Sequence, residues 1–514
     1  MNNTIKMFLG AGFAVVVAFY ANSLVGNSAH GGFLVMAAVF GAYMAMNIGA
    51  NDVANNVGPA VGSGAITIGG AIIIASIFEL SGALVAGGDV VGTIKKGIID
   101  PAAFGDDPMI FVYAMSAALL SAALWLNLAT WLKAPVSTTH SIVGGVLGGG
   151  IAAGGFAIVS WGTMGKIAAS WVISPVLGGV IAASFLYVIK SQIVYKEDKL
   201  AAAKKVVPIL VAIMAAAFIT YLTVKGLKKV WPVIVDVLSF LPQTKKPSIV
   251  IALMFGLIGA SITYTVVKPR IAKRILGMED TRESINLLFT IPLVFAAILL
   301  SFAHGANDVA NAVGPLAAVY DALTNTAVST KVAIPVWVMV VGGVGISVGL
   351  ALFGPRLIKT VGSEITELDQ MRAFSIMMAA AITVVIASQL GLPVSSTHIA
   401  VGAVFGVGFL REWLDRSSAD EKHLKLKEAI DNHATLKEEL ENLKSGNDDY
   451  KRQVELISQV KYKKKKVKSL KKSLRENYVR RGMVKKIIAA WIITVPAAAT
   501  LSAIIFFIIK GVSA

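Results

Sequence analysis

Eleven apolar stretches of about twenty residues each decide most of what this chain can fold into. They run at about 7–24, 31–48, 68–88, 108–132, 164–190, 206–224, 248–267, 284–303, 332–353, 371–390 and 486–509. A helix of about twenty apolar residues crosses the roughly 30 Å hydrocarbon layer of a bilayer. Only 15% of the residues are charged, against roughly 25% in soluble domains. Membrane strands would give short alternating segments, whereas these runs are long and rich in Ala, Gly, Ile, Leu and Val. The expected fold class is an all-α polytopic membrane protein with about 11–12 spans. No clear cleavage site follows the run from Met7 to Leu24, so it is counted as a span and not as a signal peptide. With no Cys in the chain, disulfides and thiolate metal sites are excluded.

Two spans end in almost the same words. Gly49-Ala50-Asn51-Asp52-Val53-Ala54-Asn55 returns as Gly305-Ala306-Asn307-Asp308-Val309-Ala310-Asn311, and each copy is followed by a Val-Gly-Pro. A carboxylate at membrane depth is costly unless it is paired, hydrated or bound to a cation. A second phrase is doubled at nearly the same spacing. Pro135-Val136-Ser137-Thr138-Thr139-His140 returns as Pro393-Val394-Ser395-Ser396-Thr397-His398. Ile94-Lys95 matches Ile358-Lys359, and Trp171-Val172-Ile173-Ser174-Pro175 resembles Trp491-Ile492-Ile493-Thr494. The offset grows by about sixty residues before that last match, so a segment has been inserted late in the second half.

The expected organisation follows. Residues 1–30 form an N-terminal span, 31–190 a first membrane repeat and 191–283 connecting spans and loops. Residues 284–410 form a second repeat, 411–485 an inserted hairpin, and 486–514 the last span of the second repeat. The insertion holds nearly half of all Lys and Arg. Its apolar residues fall at helical spacing (Leu436, Leu440 and Leu443, then Val454, Ile457 and Val460, then Val467, Leu470 and Leu474) on either side of the turn signal Ser445-Gly446-Asn447-Asp448-Asp449. It reads as a water-soluble helical hairpin. The net charge of +17 is read first as an orientation signal and not as a nucleic-acid footprint. Basic loops at 190–205, 268–283 and 411–485 are expected in the cytoplasm, although the basic loop 225–246 must then lie outside. The repeats are expected to be inverted. Short apolar pieces at about 53–66, 136–155, 309–320 and 394–410 suit broken helices or re-entrant hairpins facing a cavity.

The motifs carry the chemistry. A helix starting at Pro-Val-Ser inside the membrane offers capping hydroxyls, free N–H groups and about half a positive charge from its dipole. That is a site for an oxyanion; the competing reading is a Pro kink with its hydroxyls bonded back to the backbone. Asn51 and Asn55, like Asn307 and Asn311, are spaced i, i+4 and share a helix face next to Asp52 or Asp308. Their oxygens suit a hard cation and their NH₂ groups an anion. Glu79 is either a further cation ligand or an internally paired carboxylate. His140 and His398 are hydrogen-bonding residues or proton carriers. His304 lacks a symmetric counterpart and is read as structural. No nucleophile–base pair, catalytic metal spacing, Walker loop or dinucleotide fingerprint is present, so an enzyme is not expected.

These doubled motifs resemble those of the inorganic phosphate transporter (PiT) family, over nearly all of the membrane part. The resemblance implies a secondary transporter with inverted repeats that carries phosphate with Na⁺ or H⁺. It implies phosphate-binding residues Asn51, Asn55, Ser137, Thr138, Thr139, Asn307, Asn311, Ser395, Ser396 and Thr397, and Na⁺-binding residues Asp52, Asp308, Asn51, Asn307 and Glu79. Glu79 matches a functionally important glutamate of eukaryotic relatives; the second such glutamate is replaced here by Met377. The expected function is Na⁺-coupled phosphate import. The alternatives are H⁺-coupled uptake of phosphate, metal-phosphate or sulfate, a cation channel or exchanger, and a receptor that signals through the basic hairpin. No cofactor is expected beyond the transported ions. The expected partners are phosphate, Na⁺ and the lipid bilayer of a prokaryotic plasma membrane, with no nucleic acid; a homodimer is compatible with the sequence. With two Asp, an anion and up to four broken-helix N-termini, two equivalent Na⁺ sites are expected to balance the charge.

Overall fold

The apolar runs fold into helices throughout the computed structural model. It describes residues 2–25, 30–104, 108–132, 136–228, 230–238, 241–324, 334–364, 368–414, 416–445, 450–476 and 481–513. The first half contains α1 (Asn3–Val25), α2 (Gly31–Asn51), α3 (Val53–Gly62), α4 (Ile68–Ala86), α5 (Gly88–Lys96), α6 (Pro108–Trp131), α7 (Thr138–Gly154) and α8 (Trp161–Ile189). The connecting region holds α9 (Lys199–Tyr221), α10 (Trp231–Val237), α11 (Ile249–Ile275) and α12 (Arg282–Leu288). The second half contains α13 (Thr290–Thr324), α14 (Val336–Glu364), α15 (Gln370–Gln389) and α16 (Ser396–Leu414). The chain closes with α17 (Arg416–Ser445), α18 (Tyr450–Glu476) and α19 (Arg481–Ser513). Among the described residues eleven helices are long and apolar enough to cross a membrane, and each falls on one of the eleven stretches read from the sequence. The protein is therefore an all-α, multi-pass membrane protein.

Two compact units divide the chain. One comprises residues 1–406 and 483–514, the other 407–482. In the second unit α17 and α18 pair as a hairpin that buries Ala429, Leu440 and Leu456. Val454 and Ile457, expected in its apolar seam, are 50% and 40% exposed instead. The seam runs through Leu456, half-buried Val460 and Val467, one helical step away. The expected turn falls at 446–449, outside the described residues.

In the membrane unit each repeat packs its motif helix against the other repeat. A Cβ at Gly49 on α2 would collide with the carbonyl of Ile346 on α14, and one at Gly305 on α13 with the carbonyl of Glu79 on α4. A Cβ at Gly349 would strike Met46, and one at Gly82 would strike Phe302. The same reciprocity recurs elsewhere. Gly144 and Gly148 on α7 meet Val495 and Ala499 on α19, while Gly402 and Gly406 on α16 meet Pro175 and Gly179 on α8. Glycine is required at these crossings because backbones touch there. Contacts that survive exchange of the two halves are the mark of a pseudo-two-fold arrangement. They also align Ile346 with Glu79, Ile48 with His304 and Ala312 with Asn56.

The two copies of the Asn-Asp motif differ locally. In the first, the helix is irregular for a single residue at Asp52, between α2 and α3, although Asp52 keeps helical dihedrals and its N–H still donates to the Ile48 carbonyl. In the second, α13 runs through Asp308 as one 35-residue helix, so the piece at 309–320 is not a separate half-helix. The Asn amides differ too: that of Asn51 donates to Asp52 Oδ1 (2.9 Å) and to the carbonyl of Val136 (3.1 Å). Asn307 instead donates to Ser388 Oγ (3.0 Å) and the Leu392 carbonyl (3.2 Å). Two helix N-termini, those of α7 and α16, therefore serve the motifs with open N–H groups, and not four.

Candidate functional site

The hydroxyl phrases start helices. Ser137 Oγ accepts from His140 N–H (3.2 Å) at the head of α7, and Ser395 Oγ from His398 N–H (3.3 Å) at the head of α16. These caps take up the third N–H of each helix. Among the described residues, the N–H groups of Thr138, Thr139, Ser396 and Thr397 have no hydrogen-bond acceptor. Pro135 lies outside the described residues.

The structure brings the four motifs together. Asn55 Nδ2 donates to Thr397 Oγ1 (2.9 Å), and Asn311 Nδ2 donates to Thr139 Oγ1 (3.1 Å). Each bond joins the amide of one repeat to the hydroxyl of the other. Thr138 Oγ1 donates to Asp52 Oδ2 at 2.6 Å, lies 3.4 Å from Asp308 Oδ2 and accepts from Asn311 at 3.3 Å. Thr397 Oγ1 lies 3.3 Å from Asp52 Oδ1. Thr139 Oγ1 donates to the carbonyl of Val394 (2.8 Å), and Val394 N–H donates to Asn307 Oδ1 (3.3 Å). Asp52, Asp308, Ser137, Thr138, Thr139, Ser395, Ser396, Thr397, Asn51, Asn307 and Asn311 are buried, and Asn55 is half-buried. No Lys or Arg belongs to the set.

The two carboxylates are not equivalent. Both oxygens of Asp52 accept from neutral donors, namely Asn51, Thr138 and Thr397. Asp308 Oδ1 is buried with no hydrogen-bond partner, and so is Asn311 Oδ1 one turn later on the same face. Two unpartnered buried oxygens, one from a carboxylate and one from an amide, are what a hard monovalent cation would fill.

His304 supplies the rest of the asymmetry. Its Nδ1 is 2.7 Å from Glu79 Oε2. Its Nε2 is 3.0 Å from Asp308 Oδ2, off the line a hydrogen bond requires, so that contact is electrostatic. Glu79 Oε1 accepts from Asn56 Nδ2 at 3.0 Å. Both Glu79 oxygens thus face donors of this chain, which is the internally paired arrangement. All three side chains are fully or almost fully buried. The aligned positions in the other half are Ile346, Ile48 and Ala312, so the polar relay has no twin. Asp52, His304 and Asp308 together place ligand atoms within 4.8 Å of one another. Sequence reasoning set His304 aside and did not single out Asn56. The available signal was spacing: His304 is i−4 to Asp308 on one helix.

His140 and His398 are not the hydrogen-bonded residues of the first reading. They stack in a four-ring ladder across the two halves: Trp171–His140 at 3.7 Å, His140–His398 at 4.5 Å and His398–Trp491 at 3.5 Å between centroids. His140 Nδ1 and both nitrogens of His398 have no hydrogen-bond partner. The ladder lies directly behind the hydroxyl phrases and pins the heads of α7 and α16 against each other.

Comparison with known proteins bears on this site. Residues 48–502 match the model of a family described as the phosphate transporter family. A Helicobacter pylori (strain J99) protein named "Putative phosphate permease" is 49% identical over 98% of this chain and 95% of its own length. A Pyrococcus abyssi protein of the same description is 40% identical over 74% of this chain and 89% of its own. A solved structure titled "The sodium-dependent phosphate transporter" is similar to this chain with a TM-score of 0.72 and 31% identity, covering 93% of this chain and 99% of the other.

Proposed function

Because the chain belongs to the phosphate transporter family, we propose that it imports inorganic phosphate together with Na⁺ through the plasma membrane of a prokaryotic cell. The two halves act as inverted repeats about the site. The observation that carries this reading is the meeting of two helix N-termini, with open N–H groups, and two buried carboxylates free of any Lys or Arg. Neutral donors and helix dipoles suit a tetrahedral oxyanion, with Ser396 Oγ, buried and unpartnered, as a further donor. Phosphate as a monoanion brings −1 and the two Asp bring −2. Two N-termini offset about +1, and the Glu79–His304 pair cancels within itself. The remainder of about −2 calls for two cations.

Na⁺ enters here as cargo. Asp308 Oδ1 and Asn311 Oδ1 bind one ion, and Asp52 with the hydroxyls around it binds the other. The two sites then differ in chemistry, so Na⁺ activation has two unequal components. Cation and anion binding raise each other's affinity, because linkage is reciprocal. H⁺ coupling is the second reading, favoured by the imidazole of His304 seated between two carboxylates. The test is radiolabelled phosphate uptake into proteoliposomes with Na⁺ and pH gradients imposed separately. Uptake that requires an inward Na⁺ gradient and is sigmoidal in Na⁺ is expected; full uptake in Na⁺-free buffer on a pH gradient alone decides for the proton.

A further inference from the structure

The hairpin α17–α18 takes no part in the site, yet one flank of α18 has a pattern that solvation alone does not require. The face of α18 turned to α17 carries Gln453, Leu456, Val460, Lys463, Val467 and Leu470, all buried or half-buried. Beside that seam, at alternating steps of three and four, lie Val454, Ile457, Lys461, Lys464, Lys468 and Lys471, all exposed. Exposed Lys465 joins the stripe from the next position. The flank is apolar at its start, with Tyr450 at 79% and Tyr462 at 67% exposure as aromatic neighbours, and cationic along the rest. Between Glu455 and Glu476 the helix has no acidic residue.

The hairpin does not neutralise this charge. The ion pairs Arg452–Glu439 at 3.3 Å and Lys437–Glu441 at 3.7 Å both lie toward the turn. Together with Gln453 bonded to the Leu443 carbonyl, they set an antiparallel register. That register brings the lysine run alongside a part of α17 in which Lys425 and Lys427 stand among Glu428 and Asp431. Among the described residues, Lys461, Lys464, Lys465, Lys468 and Lys471 have no ion-pair partner.

We propose that this flank of α18 is a docking surface for the anionic phospholipid headgroups of the membrane that the same chain spans. Three features select that partner. The lysine charge complements an anionic leaflet, which attracts basic segments near membrane spans. The exposed Val454, Ile457 and two Tyr suit the apolar edge of the headgroup layer, and have no use on a polyphosphate chain in water. Finally, Lys471 lies only seventeen residues before the apolar window that begins at Ile488, so the tether holds the stripe at high effective concentration near the leaflet.

The test uses the full-length protein, whose lack of Cys permits a single spin label at Ser458→Cys on this flank and, separately, at Thr435→Cys on α17. Each is placed in nanodiscs of pure phosphatidylcholine or with 30% phosphatidylglycerol, about a third of the lipid, a share at which basic segments bind. Collision with a water-soluble nickel complex is then read. The expected result is a drop of about threefold or more at Ser458→Cys in the anionic discs, little change at Thr435→Cys, and recovery at about 0.5 M salt. Replacing Lys464, Lys465, Lys468 and Lys471 by Gln should also abolish the drop. Should that variant lose helix by circular dichroism, the lipid and salt comparison on the native stripe decides alone. Equal accessibility in both disc types overturns the proposal. So does protection that needs added RNA in either lipid, which would make the partner a nucleic acid.

Discussion

Equal steric insults at Gly49 and Gly305 should have unequal effects on transport. A Cβ at Gly305 would lie 2.7 Å from Glu79 Cα, where carbon atoms ordinarily sit about 3.5–4.0 Å apart. Helices α13 and α4 must then part by about 1 Å. His304 rides on α13 and Glu79 on α4, so their 2.7 Å contact opens to about 3.7 Å, beyond hydrogen-bond reach. Overpacking costs roughly 1–3 kcal/mol, and the lost hydrogen bond to a charged group roughly 1.5–3 kcal/mol more. A Cβ at Gly49 would lie 2.8 Å from the carbonyl carbon of Ile346 and incurs the overpacking cost alone, because Ile346 has no polar tip. Both Gly49→Ala and Gly305→Ala should lower the denaturation temperature in detergent. Only Gly305→Ala should displace the imidazole beside Asp308 and raise the half-saturating Na⁺ concentration of phosphate uptake about tenfold or more, since tenfold is about 1.4 kcal/mol. Gly49→Ala should stay within about twofold, a few tenths of a kcal/mol on the same scale. The same shift in both variants, or none in either, would refute a role for the Glu79–His304 relay in setting the Asp308 site.

Asp52→Asn and Asp308→Asn should each abolish Na⁺-driven phosphate uptake in proteoliposomes; full uptake by either variant removes that carboxylate from coupling. Thr139→Val and Thr397→Val each remove a hydroxyl from the site and should weaken phosphate binding by roughly 1–3 kcal/mol; an unchanged calorimetric Kd in both moves the anion elsewhere. Lys95 and Asp321 form a buried ion pair at 2.8 Å, so Lys95→Met should destabilise the fold by roughly 3–5 kcal/mol, and adding Asp321→Leu should recover most of that. Thermal denaturation of the single and double variants checks it, and equal losses in both would show that the pair is not what Lys95 contributes.

What could be read from the sequence was what duplication and composition write into it. The spans were legible because an apolar run of that length has few other fates, and the motif residues because the same costly polar letters occur twice. The irregularity at Asp52 was not legible. The two motifs are identical from Gly49 to Asn55 and from Gly305 to Asn311, and yet the helix is irregular in one and not in the other. What differs around them is distant in sequence: the amide of Asn51 meets the carbonyl of Val136, and that of Asn307 meets Ser388 and Leu392. Nor could the crossed packing be foreseen, since nothing local says that α2 meets α14 and not α4.

His304 shows the limit most directly. Symmetry was the strongest guide to the site, and it discounted His304, which has no twin. Where α2 crosses α14, Ile48 and Ile346 are apolar; the matching crossing of α13 with α4 carries His304 and Glu79, and Ala312 on α13 stands where α3 has Asn56. Burying three polar groups instead of three apolar ones is costly unless each is partnered, and here each is. Two identical carboxylate sites would bind two cations with one affinity. If two cations bind as proposed, the asymmetry beside Asp308 would make their sites unequal, one with an unpartnered Oδ1 and the other, at Asp52, sealed by hydroxyls. Unequal sites would let the ions load in order, which a coupled carrier needs if it is to avoid crossing the membrane half filled, and the inequality would come from the part of the site that the duplication did not copy.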